Sequence, residues 1–523
     1  MALIQRLWNE RPLLLIILLA LTVRLIGVFF SGGYGYHDDH FLVIEPAQSW
    51  LEGRDKGNMI TDSPEENTSG RSLLYPAANY VILGTAEFLG MSDPSLKMVF
   101  NRLIHALYSL LIIYFGYKLT WELGDRNKAR VVGLLLALFW MFPQMSVRNL
   151  VEVIPIPLLL LVSYWVVRFL KGDLPLRYIL LSGLLLGICF SLRYQTILFA
   201  GGIGLGLMWS RKWKESIYLG AVFVGAIVLI HGVGDYYLCG SPFCKLQYYF
   251  LFNVEHANDY TTEPWHFYLG ILLGVFIPPL SILLMFGFAR SYKVSTTVWL
   301  AALLFFVFHS VFPNKQERFI FTIMPHIIIL GYLGWSNFVE RRNMGKVLSS
   351  FVRFSWVFFW ILNIPLVILY SAYDNKRARV EGMRFLGEQE DLKGFVLMDP
   401  THKRIKDAPL YYGGFYEAYP HIGSTVTPDS VMQIMERMPD SQYPNYLVLC
   451  VGRDEDLSDN ETFARSFFPD IEYVTTREMG WIDALRNRIN KGIALDDWAI
   501  YKIKGERIAP YDPDSEPLPN IYK

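Results

Sequence analysis

Hydrophobic residues run in long unbroken blocks through the first 371 positions of this chain and in short ones after that. Blocks near the ~20 residues that cross a bilayer occupy Pro12–Phe30, 98–120, 129–142, 150–170, 177–190, 196–209, 216–233, 266–288, 295–312, 319–338 and 351–370. They predict eleven membrane-spanning helices. One further apolar block, 73–89, is assigned by topology. Cytoplasmic loops collect Lys and Arg, and WELGDRNKAR, KGDLPLR, RKWKES, ARSYK and ERRNMGK occupy alternate connections. The N-terminus, with Arg6 and Arg11, falls on the same side only if 73–89 does not cross. It then lies along or dips into the outer face as an interfacial or re-entrant helix.

Beyond Ser371 the apolar runs shorten to GFVLMDP, NYLVLCVG, IEYVTT and DDWAIYKIK, with TPDSVMQIMERM and DLSDNETFARSFF between them. Short strands alternating with helical pieces predict a small α/β domain. The expected organisation is a membrane domain over residues 1–371 and an extracytoplasmic α/β domain over 372–523. YYGGFY, at 411–416, lacks the strand-turn-helix context of a nucleotide loop and reads as a turn.

Composition agrees with this class. The chain of 523 residues is 53% hydrophobic and 18% charged, against about a quarter charged in soluble domains. Net charge is zero, so nothing attracts nucleic acid. Pro12–Phe30 is too long for a cleavable signal, lacks a small-residue cleavage site, and reads as a retained anchor. Cys189 and Cys450 read as packing residues. Cys239 and Cys244, in CGSPFC of an outer loop, read as a disulfide or as two free thiols. No second Cys or His pair stands at zinc spacing, so no metal site is expected. The sequons at Asn67 and Asn460 occur at a frequency chance supplies.

The chemistry gathers at the outer ends of the helices. HDDHFLVIEPAQSW, directly after the first span, places Asp38, Asp39 and Glu45 where the chain leaves the bilayer. Arg148, Glu152, Arg193, Trp265, His266, Lys315 and Arg318 occupy other outer loops. Each of them alone reads equally as a snorkelling or capping group. Together they mark one functional face, because ionisable groups near membrane depth are costly.

These segments carry a resemblance. YHDDHFLVIEP, RSLLYP, RNLVE, DYYLCGSPFCKLQYYFLFNVEHANDY with EPWHFYL, and HSVFPNKQERFIFTIMP follow, in order over residues 20–330, the motifs of glycosyltransferase family 22. These are the GT-C mannosyltransferases that build GPI anchors and N-glycan precursors from dolichyl-phosphate mannose. Asn314 and Gln316 depart from the His and Glu of the family pattern, whereas Lys315, Arg318 and Phe319 keep it.

The resemblance implies a GT-C fold and transfer of a hexose, mannose first, from a polyprenyl- or dolichyl-phosphate donor to a hydroxyl of a lipid-linked or cell-surface glycan. That reaction needs a general base for the acceptor proton and cations for the leaving phosphate. Asp38 is the expected base, with Asp39 as the alternative base or an acceptor-orienting residue. Lys315, Arg318 and Arg193 are the expected phosphate binders, since a guanidinium fork grips phosphate. Glu45, Arg148, Glu152, Trp265 and His266 are expected to support these groups or line the acceptor path. Partners are the lipid donor, the glycan acceptor and membrane lipids. No cofactor is implied, and no divalent cation is indicated. The rivals are a GT-C enzyme moving aminoarabinose or glucose, and a lipid or glycan transporter. A transporter predicts pseudo-symmetric halves and mid-span charges, and the sequence has neither. The long soluble tail favours a bacterial inner membrane over an endoplasmic reticulum.

Overall fold

The computed structural model describes residues 2–55, 70–259, 261–341, 345–400, 407–415, 419–424, 427–452, 455–489, 495–505, 507 and 510–511. They form two compact units. The first contains Met1–Phe29, Asn58–Ala78 and Asn101–Ala372; the second contains Phe30–Gly57, Asn79–Phe100 and Tyr373–Lys523.

The first unit is helical. Among the described residues, Pro12–Phe30, Pro94–Leu123, Trp213–Cys239, Glu317–Glu340 and Lys346–Ser371 are long and apolar enough to cross a membrane. Ile156–Leu170, Arg177–Leu192 and Thr296–Val311 are shorter apolar helices. Prolines decide where several runs depart from continuous helix. Pro278 and Pro279 have no N–H to donate, so the run at 266–288 becomes two helices, Phe267–Val275 and Leu280–Arg290. Pro157 sits in the first turn of Ile156–Leu170, as proline prefers. The preceding residues are left as turns, and those turns carry Arg148 and Glu152.

Small residues let the central helix pack closely, as they do in membrane bundles. A Cβ on Gly287 would stand 1.9 Å from the carbonyl oxygen of Gly331, and one on Gly334 would stand 2.0 Å from that of Gly287. The fully buried Arg24 has a structural use. Its Nε donates to Ser109 Oγ at 2.8 Å and its Nη1 to the Ala137 carbonyl at 3.2 Å. These bonds tie three helical segments together through one charge.

The second unit is built on a five-stranded sheet: β1 (Phe395–Asp399), β2 (His421–Gly423), β3 (Tyr446–Gly452), β4 (Ile471–Arg477) and β5 (Asp496–Ile503). The order is β2-β1-β3-β5-β4. β1 runs parallel to β2 and β3, and β5 runs antiparallel to β3 and β4. Side chains alternate between faces with period two. Val396, Met398, Leu447, Leu449, Ala499 and Tyr501 face helices Pro428–Glu436 and Leu457–Phe467. Phe395, Leu397, Val448, Trp498 and Ile500 share the other core with Tyr34, Phe41, Ile44 and Ala47, and with Leu83 and Met98. The loop after the first span is therefore a structural layer of the sheet unit, held by apolar burial.

Cys239 and Cys244 are joined in a disulfide, and Cys189 and Cys450 are buried and free. Tyr411 and its neighbours form a 3-10 turn, Leu410–Gly413, closed by Gly414 at φ 62°. Asn67 lies outside the described residues. Asn460 is buried, its amide donating to Glu455 Oε2 at 3.0 Å.

Candidate active site

The acidic loop folds in three steps. A short helix, His37–Asp39, passes into a π-helical turn, His40–Ile44, which continues as the helix Glu45–Leu51. Such π turns re-aim side chains and are frequent at functional sites. Asp38 is half-buried and Asp39 is buried. Asn375 braces the entry, donating from Nδ2 to the carbonyls of Tyr34 and Gly35, each at 3.0 Å.

His40, absent from the expected site, is the centre of this loop. Its ring stacks between Tyr34 and Tyr412, with centroids 4.7 and 5.5 Å away. Its Nε2 lies 3.4 Å from Glu45 Oε1, and both side chains are almost wholly shielded from solvent. The Tyr411 backbone N–H donates to the same Glu45 oxygen at 3.4 Å. Glu45 is thus a buried anchor between the acidic loop and the 411–412 turn. Tyr34 and Glu45 are close in sequence, but nothing in HDDH marks His40 for this role, because Tyr412, which closes the stack, lies 372 residues away.

His37 faces outward. It pairs with Asp407, and its Nδ1 lies 3.7 Å from Asp38 Oδ1. Burial lowers the His37 pKa, but hydrogen bonds to Asp38 and Asp407 outweigh it, and the net direction is upward. A raised folded value adds stability that is complete below the unfolded value near ~6.5 and is lost as pH rises through the folded value. Melting temperatures of wild type and His37→Gln should therefore differ most near pH 6 and converge at alkaline pH. A difference that stays constant with pH would refute this pairing.

The basic groups cluster in the helical unit. Arg193 follows helix Arg177–Leu192 in extended backbone, φ −152°. Arg318 is the second residue of the 3-10 turn Glu317–Ile323. Arg193 Nη1 lies 2.7 Å from Glu152 Oε1, and Arg318 Nε lies 3.8 Å from the same oxygen. All three side chains are buried. Arg193 Nη2 also donates to the Phe319 carbonyl at 3.3 Å, and Arg318 Nε donates to Gln316 Oε1 at 2.9 Å. The Phe319 ring lies 5.5 and 5.9 Å from the two guanidinium carbons. Thr322 Oγ1 donates to the Glu152 carbonyl at 2.9 Å, fixing the turn that bears the acid. Two guanidiniums thus share one carboxylate. Arg193 Nε and Glu152 Oε2 are buried without hydrogen-bond partners. Two buried guanidiniums held side by side suit an incoming anion, because a guanidinium fork matches phosphate oxygens.

The other expected residues behave differently. Lys315 spends its ammonium on the carbonyls of Glu263 and Phe312, at 2.7 and 2.6 Å, latching two segments together. Arg148 is buried in the same chain of turns as Glu152. Trp265 and His266 are exposed at the start of helix Phe267–Val275, their rings 5.6 Å apart. Asp38, Asp39 and Glu45 belong to the sheet unit, and Arg148, Glu152, Arg193, Lys315 and Arg318 to the helical unit. Next to Arg193 the structure adds a further polar group. His231 Nε2 is 3.1 Å from Ser191 Oγ, and its Nδ1 is 3.7 Å from Asp235 Oδ2. Its ring lies 5.4 Å from that of Tyr194. Among the described residues, no three or more His, Cys, Asp or Glu side chains converge to hold a metal ion.

The chain is 25% identical over 337 residues to GPI mannosyltransferase 3 of Candida albicans, covering 61% of this chain and 63% of that protein. It is 27% identical over 160 residues to the mouse (Mus musculus) alpha-1,2-mannosyltransferase ALG9, covering 26% of each. The crystal structure of ArnT from Cupriavidus metallidurans bound to undecaprenyl phosphate superposes with a TM-score of 0.59. It does so at 13% identity, covering 95% of this chain and 99% of that one, and so shares the fold. The profile of the Alg9-like mannosyltransferase family matches residues 15–402. With a match of that extent, the chain belongs to the Alg9-like mannosyltransferase family.

Proposed function

We propose that this membrane protein transfers a mannosyl residue from a polyprenyl-phosphate donor to a hydroxyl of a glycan acceptor. The observation that carries the proposal is the buried Arg193–Glu152–Arg318 cluster in a chain of this family. The acceptor oxygen attacks C1 of the sugar as the C1–O bond to phosphate breaks. The hydroxyl proton passes to Asp38, the general base. The electron pair of the broken bond stays with the lipid phosphate, whose charge Arg193 and Arg318 take up. Glu152 holds Arg193, and Arg318 beside it, through its carboxylate. Lys315 contributes positive field, with its hydrogens committed to backbone carbonyls. Asp39 and Glu45 fix the Asp38 turn, and Arg148, Trp265 and His266 border the acceptor path.

The ArnT structure with undecaprenyl phosphate supports a polyprenyl-phosphate donor without specifying the sugar, so a donor carrying another sugar is the second reading. We place the enzyme in a bacterial inner membrane, with the endoplasmic reticulum, where a eukaryotic homologue would act, as the alternative. The test is to offer the purified protein polyprenyl-phosphate mannose, glucose and aminoarabinose in turn. Consumption of the mannosyl donor is expected. Consumption of another donor alone would replace mannose, and consumption of none would reject the transfer reaction.

A further inference from the structure

We propose that a cleft in the sheet unit, separate from Asp38 and from the arginine cluster, is a saccharide subsite that holds a sugar of the acceptor glycan. This rests on the glycosyl-transfer reading above. The cleft encloses about 270 Å³. Its floor is Gln48 and Lys97, both buried, and its wall is the turn carrying Tyr411 and Tyr412. Arg384, Glu388, Asp93 and Glu52 stand exposed on the rim.

The floor is held rigid by a polar network. Gln48 Nε2 donates to Glu52 Oε1 and Glu87 Oε1, each at 3.0 Å. Lys97 Nζ donates to Glu87 Oε1 at 2.5 Å and to Gln48 Oε1 at 3.4 Å. Side chains fixed in this way lose little entropy when a ligand binds.

Charge narrows the ligand class. Glu52, Asp93 and Glu388 oppose Lys97 and Arg384, so the lining carries a slight negative excess and repels phosphates and nucleotides. An apolar ligand would strip water from five charged groups without replacing their hydrogen bonds. A neutral polyol avoids both penalties. Its hydroxyls donate to the carboxylates and accept from Arg384 and Lys97, against the wall formed by the 411–414 turn.

Position supplies the link to the reaction. Gln48 lies on the helix Glu45–Leu51, one turn beyond Glu45. Tyr411 hydrogen-bonds Glu45, and Tyr412 stacks on His40, which directly follows Asp38 and Asp39. One wall therefore backs both the acidic loop and the cleft. A glycan anchored in the cleft has one of its hydroxyls held in register with that loop.

The experiment uses the full chain in detergent and two variants of exposed residues, Arg384→Ala/Glu388→Ala and Ser92→Trp, the latter filling the mouth. Saturation-transfer NMR with free α-mannobiose should give signal on wild type and none on either variant. In the transfer assay, acceptor KM should rise about 10-fold or more, the loss expected for hydrogen bonds to charged groups. Donor KM and kcat should not change. Unaltered acceptor KM in both variants, or no saccharide signal on wild type, would overturn the subsite. If no sugar donor is consumed at all, the transfer reading fails, while the mannobiose signal still decides the cleft.

Discussion

Asp38→Asn is expected to reduce mannosyl transfer at least ~100-fold, the lower range of what a positioned base contributes, with normal amounts of protein in the membrane. Three carboxylates compete for the role, and their surroundings separate them. Glu45 is consumed between His40 and the Tyr411 amide. Asp39 is buried within its own turn. Asp38 keeps about a third of its side chain exposed, 31%, where an acceptor hydroxyl can reach it. Asparagine preserves size and most hydrogen bonds while removing the basic lone pair, so folding should survive and turnover should not. Steady-state transfer by Asp38→Asn and Asp39→Asn, normalised to expression, tests the assignment. Near-wild-type turnover in the first with collapse in the second would move the base to Asp39. Activity in both would remove catalysis from this loop.

Arg318→Gln is expected to cost ~100-fold in donor turnover, comparable to deleting one transition-state charge donor elsewhere, and Arg318→Lys about 10-fold. Lysine keeps the charge but loses the paired N–H fork that matches phosphate. Arg318 is the cleaner arginine to test. Its Nε is 3.8 Å from Glu152, whereas Arg193 makes the close 2.7 Å contact. Removing Arg193 would leave a buried carboxylate poorly compensated, a loss that typically costs ~3–5 kcal/mol and would confuse stability with catalysis. Removing Arg318 leaves the Arg193–Glu152 pair in place. The measurement is kcat and KM for the lipid donor in well-expressed variants. Equal activity of Lys and Gln variants would exclude the fork, and unchanged donor kinetics in Arg318→Gln would exclude the residue.

The family context was legible because its motifs are short contiguous strings such as RSLLYP and NKQERF. The elements were legible because periodicity is local. Four strands and two helices of the sheet unit fall on the runs that predicted them, whereas the strand His421–Gly423, at three residues, was too short to carry a pattern, and the helices Arg377–Gly387 and Trp481–Ile489 were not among the predicted pieces. The composition likewise dictated apolar helices and placed carboxylates just after Pro12–Phe30.

Which charges meet was a different matter. Arg193 finds Glu152 across 41 residues and stacks near Phe319 across 126. His40 is clamped by Tyr412, and Lys315 is drawn to the Glu263 carbonyl instead of standing open. Gln48 and Lys97 of the cleft floor are held together through Glu87, and no motif singled out any of the three. Sequence spacing fixes which face of a helix or strand a side chain occupies. Its distance to a partner in another element is set by how helices and sheet pack, and that depends on the whole chain at once. So the sequence by itself determined the class, the elements and the inventory of reactive groups, whereas the tertiary structure decided which of them are buried, paired or left facing a ligand.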